Sequence, residues 1–183
     1  MSEQKDYWEK RANNWISGRD VPIFENLTIS NYVNTISDNK NVLYIGSGTG
    51  RYLRCFNCKK LYGIDFISDF IDVANKIKPD DCELFVDDLV DLKFDKNVDI
   101  AFTKTVLQHI NPIQINKAIQ NLSNLKIKDI ILWELMEYSI LNDYTFYHNY
   151  IELFKNVGYN LVYSEKHSNN ITYLLHFQLI DEL

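Results

Sequence analysis

Val42-Leu43-Tyr44-Ile45-Gly46-Ser47-Gly48-Thr49-Gly50 runs an apolar strand straight into three alternating glycines. Glycine tolerates positive φ and close approach of a ligand, so the backbone is expected to turn sharply here and leave room for one. A helix expected just beyond would aim free N–H groups and a positive dipole end at a carboxylate or phosphate. A dinucleotide fingerprint, G-x-G-x-x-G, would require glycine at position 51, where this chain has Arg51. The spacing here is G-x-G-x-G.

Working outward, Ile29, Val33 and Ile36 fall at i, i+4 and i+7, which predicts an amphipathic helix leading into a strand at 41–45. After the glycines a short helix is expected to end near Cys58. Leu61–Asp65 reads as a second strand, and Phe70, Ile71, Ala74 and Ile77 stripe the helix after it, closed by Pro79. Cys82–Val86 and Val98–Phe102 read as the third and fourth strands. Ile115, Ala118, Ile119, Leu122 and Leu125 mark a helix, and Asp129–Trp133 a fifth strand with the unbroken apolar character of one buried on both faces. Phe146, Tyr150, Leu153, Phe154 and Val157 stripe a last helix, with Gly158 at its C′ position. Strands at 160–166 and 171–179 are expected to pair as a hairpin. This alternation predicts an α/β fold with a mostly parallel sheet, right-handed crossovers and an antiparallel edge.

The chain has 183 residues, enough for one well-buried α/β domain. A single domain over 1–183 is expected, with an N-terminal helical cap over 1–38 and a core over 39–183. No apolar run approaches the roughly 18 residues of a membrane span, and the polar opening Met1–Asp6 has no signal-peptide h-region, so a cytoplasmic location is expected. Net charge is -6, and the 19 basic residues are scattered, which disfavours nucleic acid as a partner. Cys55, Cys58 and Cys82 supply one C-x-x-C and a single cysteine, short of the four ligands of a structural zinc site; no metal is expected.

The G-x-G-x-G run after a strand and an acidic residue at the end of the next strand resemble motif I of the class I S-adenosylmethionine-dependent methyltransferases, here of the small-molecule type. The run Leu107-Gln108-His109-Ile110 resembles the segment after strand four in that family, and the resemblance spans 5–178. It implies a Rossmann-like seven-stranded sheet with helices on both faces, and S-adenosyl-L-methionine as cofactor. Gly46, Ser47 and Gly48 would then hold the methionine end.

In an open parallel sheet, ligands lie beyond the carboxyl ends of the central strands. Asp65, 19 residues past Gly46, is placed to accept hydrogen bonds from both ribose hydroxyls; the alternative is a charge at a helix N-terminus. Phe66 would lie against adenine. Asp87-Asp88-Leu89-Val90-Asp91-Leu92-Lys93-Phe94 resembles the family's third motif, D-x-x-D-L-x-F, with Asp88 receiving the adenine amino group, Asp87 competing for that role, and Leu89 offering its backbone N–H. Thr103 would sit beside the methionine moiety. Tyr7, Arg11 and Trp15, spaced i, i+4 and i+8, would share one face of an opening helix, where Arg11 pairs with the methionine carboxylate and Trp15 faces the sulfonium; ordinary helix packing is the alternative.

Methyl transfer is a direct displacement, so positioning and exclusion of water dominate. His109 is the candidate base for a hydroxyl or amine nucleophile, its alternative being a histidine satisfied on the element after strand four. Glu134, Tyr138, Asp143, Tyr144, Tyr147 and His148 cluster where a small-molecule acceptor pocket would lie, and Glu134, Tyr138, Tyr147 and His148 are the candidate substrate contacts. Neither N-P-P-Y nor D-P-P-W follows strand four, and no Pro-Cys nucleophile exists. Tyr44 stands where the family usually has Asp or Glu, and a phenol lacks a carboxylate's charge. Two other readings compete: a non-catalytic methyltransferase-like binder, and a nucleotide-dependent oxidoreductase.

Overall fold

The computed structural model describes residues 2–16, 30–137, 143–169 and 171–180. The chain forms two compact units, 1–88 and 89–183. The first contains α1 (Ser2–Ile16), α2 (Ser30–Ser37), β1 (Asn41–Ile45), β2 (Lys60–Asp65), α3 (Ser68–Asn75) and β3 (Cys82–Val86). The second contains β4 (Ile100–Lys104), α4 (Ile115–Asn124), β5 (Asp129–Leu135), α5 (Tyr150–Lys155), β6 (Tyr159–Lys166) and β7 (Thr172–Leu179). The seven strands follow the order β3-β2-β1-β4-β5-β7-β6. This is the mostly parallel sheet with an antiparallel end that the alternation of elements predicts, in the seven-stranded Rossmann-like form that the resemblance implies.

In the first unit β1 pairs parallel with β2, and β2 with β3. Val42, Leu43, Tyr44 and Ile45 are all buried, as expected of a strand covered on both faces. Helix α3 buries Phe70, Ile71 and Ala74, and α1 packs on it through Ala12, with Trp8 and Ile16 partly buried against Ile67 and Phe70. The buried stripe of α1 is therefore Trp8-Ala12-Ile16, one residue around the helix from the Tyr7-Arg11-Trp15 face.

The helix expected after the glycines does not form; a 3-10 turn over Leu53–Cys55 takes its place. Geometry requires this. The register Asn41↔Lys60 returns the chain to the start of β1, a strand of about 17 Å at roughly 3.3 Å per residue. The nine residues between Gly50 and Lys60 would climb only about 13 Å as α-helix. A tight turn followed by extended chain covers the distance. Among the described residues, no helix starts directly after the glycine run.

Gly50 fixes the closeness of this turn to α3. Its φ is +82°, and an added Cβ would lie 2.9 Å from the Ala74 Cβ and 3.1 Å from the Ala74 Cα. Gly50→Ala combines a left-handed backbone with a clash against helix backbone, and is expected to lower the unfolding free energy by about 2–3 kcal/mol, read as a fall in the urea midpoint at constant m-value.

In the second unit β5 is buried throughout, parallel to β4 and antiparallel to β7, while among the described residues β6 pairs only with β7. The hairpin expected from 160–179 is present, with its later strand placed inside. Strand β4 runs two residues later than 98–102. Ile115, Ala118, Ile119 and Leu122 form the buried stripe of α4, and Asn121 Nδ2 donates to the carbonyls of Leu89 (3.0 Å) and Val90 (2.8 Å), holding the 3-10 turn Leu89–Asp91. The last helix begins at Tyr150 rather than near Phe146, capped by Asn149 Oδ1, which accepts from the Glu152 N–H. The preceding residues, 145–149, run without regular structure because their hydrogen bonds go elsewhere: the Phe146 N–H donates to the Gln108 carbonyl at 2.7 Å.

Candidate functional site

The first unit gathers its functional groups at the carboxyl ends of β1 and β2. Gly46, with φ +69°, ends β1, and the Gly46 and Ser47 N–H groups both donate to the Ile64 carbonyl (2.8 and 3.0 Å). The next N–H, Gly48's, donates to Asp65 Oδ2 at 2.9 Å, and Asp65 Oδ1 accepts from the Ile67 N–H at 3.0 Å. The carboxylate thus holds the glycine turn and the start of α3 together. Burial pushes the Asp65 carboxyl up to about 6, opposed by the Ile67 and Gly48 N–H bonds and reinforced by the nearby charge of Asp88.

Two observations at this turn point to a ligand. Ser47 is 3% exposed and its Oγ has no hydrogen-bond partner among the described residues, although buried hydroxyls are nearly always satisfied. A Cβ built on Gly48 meets nothing within 4 Å, so open space lies above a left-handed residue at φ +56°. Asp87 and Asp88 are half-buried after β3, where the Asp87 N–H donates to the Asp65 carbonyl at 3.0 Å and its Oδ1 accepts from the Asp88 N–H at 2.9 Å. Phe66 is partly buried in the apolar cluster under α1.

Arg11 is exposed, donates to the Tyr7 hydroxyl at 3.1 Å, and lies 5.7 Å over the Trp8 ring. The side chain of Trp15, and all of Tyr138, fall outside the described residues. Tyr44 is 2% exposed with its ring 5.5 Å from Phe56, and burial holds its phenol far above the ordinary value. At neutral pH it brings no charge to the turn.

The second unit is organised around Glu134, fully buried at the end of β5. Its Oε1 accepts from Thr103 Oγ1 (2.8 Å) and from the Val106 (2.9 Å) and Leu107 (3.2 Å) N–H groups, while Oε2 accepts from the Gln108 N–H (3.2 Å). Burial lifts its carboxyl to about 7 against the pull of these donors. Thr103 donates from β4 itself and the other three from the segment leaving it, which wraps around the carboxylate. To do so Thr105 takes φ +53°, a conformation costly for a β-branched residue, stabilised by its N–H donating to the Trp133 carbonyl at 2.8 Å. The Thr103 hydroxyl is committed to the same carboxylate. Leu89 is buried in its 3-10 turn.

The turn so shaped, Leu107–His109, clasps the stretch 143–149. His109 Nδ1 lies 2.7 Å from the Tyr144 carbonyl, and His148 Nε2 lies 2.8 Å from the Ile110 carbonyl. Burial holds the His148 imidazole below its ordinary value. Tyr147 is exposed, and Thr145 Oγ1 and the Tyr150 hydroxyl are buried with no hydrogen-bond partner among the described residues. Gln108 lies in the Leu107–Ile110 run and Tyr150 in a helical stripe, but the sequence assigns neither a contact here; only the pairing of distant segments reveals them.

Residues 42–126 match the model of a methyltransferase domain. Among solved structures, the N-methyltransferase NodS from Bradyrhizobium japonicum WM9, in complex with S-adenosyl-L-homocysteine, superposes with a TM-score of 0.77 at 14% identity, covering 94% of this chain and 98% of its own. DhpI, in complex with SAH, gives a TM-score of 0.76 at 14% identity over 99% and 97% of the two chains. A chain of the complex between the Haloferax volcanii Trm112 methyltransferase activator and a methyltransferase gives 0.74 at 14% identity over 99% and 98%. No curated protein sequence matches the chain. The chain shares the fold of the class I S-adenosylmethionine-dependent methyltransferases, and its residues 42–126 carry the match to the domain model.

Proposed function

We propose that this protein transfers a methyl group from S-adenosylmethionine to a small-molecule acceptor through an oxygen or nitrogen nucleophile. The observation that carries the reading is the turn after β1: an unpartnered buried Ser47 hydroxyl, open space over Gly48, and the Asp65 carboxylate bound to the Gly48 N–H. A carboxylate there suits the two hydroxyls of a ribose, and the Ser47 hydroxyl suits a polar terminus such as a carboxylate. The residues present therefore fit the group. NodS and DhpI, crystallised with S-adenosylhomocysteine, support the same choice.

The bound cofactor supplies an electrophilic methyl on a sulfonium. Within residues 1–88, Gly46, Ser47 and Gly48 hold its methionine end, Asp65 its ribose, and Phe66, Asp87 and Asp88 its adenine, with Arg11 and Trp15 as the candidates from α1. Within 89–183, Leu89 and Thr103 are the cofactor-side candidates and His109 takes the acceptor's proton. Glu134, Tyr138, Tyr147 and His148 are the acceptor-side candidates, and Glu134 acts by shaping the turn, since its oxygens already receive four donors from the chain itself. The net charge of -6 supports a small acceptor over nucleic acid, and among the described residues no helix is long and apolar enough to cross a membrane. A cytoplasmic setting agrees with both.

The test is calorimetric titration with S-adenosylhomocysteine across pH. The ligand's hydroxyls need the ionised Asp65, whose carboxyl sits near 6 before binding. Protonation must be reversed below that value, so affinity is expected to be constant above about pH 7 and about tenfold weaker at pH 5. No binding at pH 8, and no rise in melting temperature with saturating ligand, overturns the reading. A second reading, a methyltransferase-like binder without turnover, is favoured by the uncharged, buried Tyr44 beside the glycine turn. Labelled-methyl transfer to any acceptor in a metabolite extract eliminates it.

A further inference from the structure

We propose that Gly63 is a positioning residue for the cofactor, a bare place on β2 that seats Ser47 and so sets where the glycine turn presents its groups. The proposal rests on the methyltransferase reading above and adds to it a residue that acts through the turn.

Three consecutive residues of β2 receive the turn, each by a different means. The Ile64 carbonyl accepts from the Gly46 and Ser47 N–H groups at 2.8 and 3.0 Å, and Asp65 Oδ2 accepts from the Gly48 N–H at 2.9 Å. Gly63 contributes space. A Cβ built on it would lie 3.1 Å from the Ser47 Cβ and 3.2 Å from Ser47 Oγ. Residues i and i+2 of a strand share a face, so the missing side chain would stand on the side from which Asp65 reaches the turn. Glycine inside a strand is costly, and its use there often marks the close approach of another stretch of chain. Here that stretch is Ser47, 3% exposed, whose Oγ has no hydrogen-bond partner among the described residues. Packing, not a hydrogen bond, places the Ser47 side chain, and Gly63 is the floor it packs on.

An alanine at 63 meets two neighbours of unequal resistance. Its methyl would lie 2.6 Å from Leu84 Cδ2, the far end of a half-buried flexible side chain that can turn away. Ser47 has no such freedom. Its Cβ is fixed to a backbone whose N–H groups at 46, 47 and 48 are all bound to β2, so yielding by a few tenths of an ångström stretches those bonds. The displacement therefore passes from Gly63 to the contact between the Gly48 N–H and Asp65.

Two measurements on the full chain test this in Gly63→Ala, Ser47→Gly and the double variant. One is calorimetric titration with S-adenosylhomocysteine at pH 8. The other is carbon-13 NMR titration of the Asp65 carboxyl without ligand, its signal assigned by its loss in Asp65→Asn. Gly63→Ala is expected to bind about tenfold more weakly, since misplacing site groups by about 1 Å can cost two decades. Its Asp65 carboxyl is expected to titrate about half a pH unit higher than in wild type, because a lengthened bond from the Gly48 N–H favours the ionised form less. The charge of Asp88 acts on that carboxyl in both proteins. In the Ser47→Gly background the seat is no longer contested, and Gly63→Ala is expected to lose both effects. A role confined to sheet packing would lower the melting temperature and move neither quantity. If Gly63→Ala does not fold, Leu84→Ala/Gly63→Ala compared with Leu84→Ala carries the same measurements. Affinity within about twofold of the reference, an unmoved Asp65 titration, or effects as large in the Ser47→Gly background as in wild type each overturns the proposal. No binding by wild type counts against the methyltransferase reading instead, and the Asp65 titration still decides the role of Gly63.

Discussion

Asp65→Ala is expected to weaken S-adenosylhomocysteine binding by about 100-fold or more at pH 8, measured by calorimetry. Above its shifted value of about 6 the carboxylate is ionised, and hydrogen bonds to a charged group contribute about 1.5–3 kcal/mol each. Losing two of them from a ribose costs about 3 kcal/mol or more, which is two decades in affinity. The loss is compounded in the free protein, because the Gly48 and Ile67 N–H groups donate to the same carboxylate and the turn it holds would loosen. Asp65→Asn separates the two contributions. It keeps one acceptor oxygen for a backbone N–H but sets an amide N–H₂ where the other donor or the ligand hydroxyl points, so it should fold more nearly like wild type while still binding about tenfold weaker or worse. Affinity within threefold of wild type in both variants would remove Asp65 from the site.

The largest stability effect should come from Glu134→Ala. Four donors converge on this carboxylate, three of them backbone N–H groups buried or half-buried in the turn after β4. Alanine leaves them unsatisfied and frees Thr105 from the wrap that holds it left-handed, a loss of about 3–5 kcal/mol. In a chain of 183 residues this corresponds to a melting temperature about 10 °C lower, read by circular dichroism. The effect depends on pH with a definite sign. Burial raises the Glu134 carboxyl from an ordinary 4.5 to about 7. The stability linked to this titration is therefore complete below about pH 4.5 and is lost as pH rises through 7. The gap between wild type and variant should be wider at pH 5 than at pH 8. A melting temperature unchanged within 2 °C at pH 5 would mean that the turn holds its shape without the carboxylate.

How much of this was legible in the sequence depends on the range of the interaction. The strands announced themselves through local pattern: β1, β2, β3 and β5 fall where apolar runs bounded by turn residues put them, and the stripes of α3 and α4 are buried as spaced. The glycine run and Asp65 were legible because chain direction alone places both at strand ends. Local pattern failed where a long-range constraint prevailed. The helix after Gly50 lost to the span that the β1–β2 register imposes. The helical pattern from Phe146 lost its first turn to hydrogen bonds with Gln108 and Ile110, nearly 40 residues away in sequence. Glu134 was legible as a polar residue ending an apolar strand, but its four partners were not, because a carboxylate in a sequence does not reveal which distant N–H groups will turn toward it. The contacts of Gln108, although it lies in the Leu107–Ile110 run, were hidden for the same reason: an amide becomes informative only when both of its ends are seen to be engaged.

The placement of β7 between β5 and β6 bears on how the chain reaches its native state. Residues 159–166 are synthesised before residues 172–179, yet β6 has no partner in the sheet until β7 lies along β5. Throughout synthesis and early folding, β5 exposes a row of unpaired backbone groups along a wholly apolar run, Ile130–Trp133, which is a template for another nascent chain. The vulnerable interval closes only when residue 179 is made. Cells expressing the protein at high rates should therefore accumulate it in inclusion bodies unless synthesis is slowed by cooling, whereas the completed fold keeps that strand out of reach.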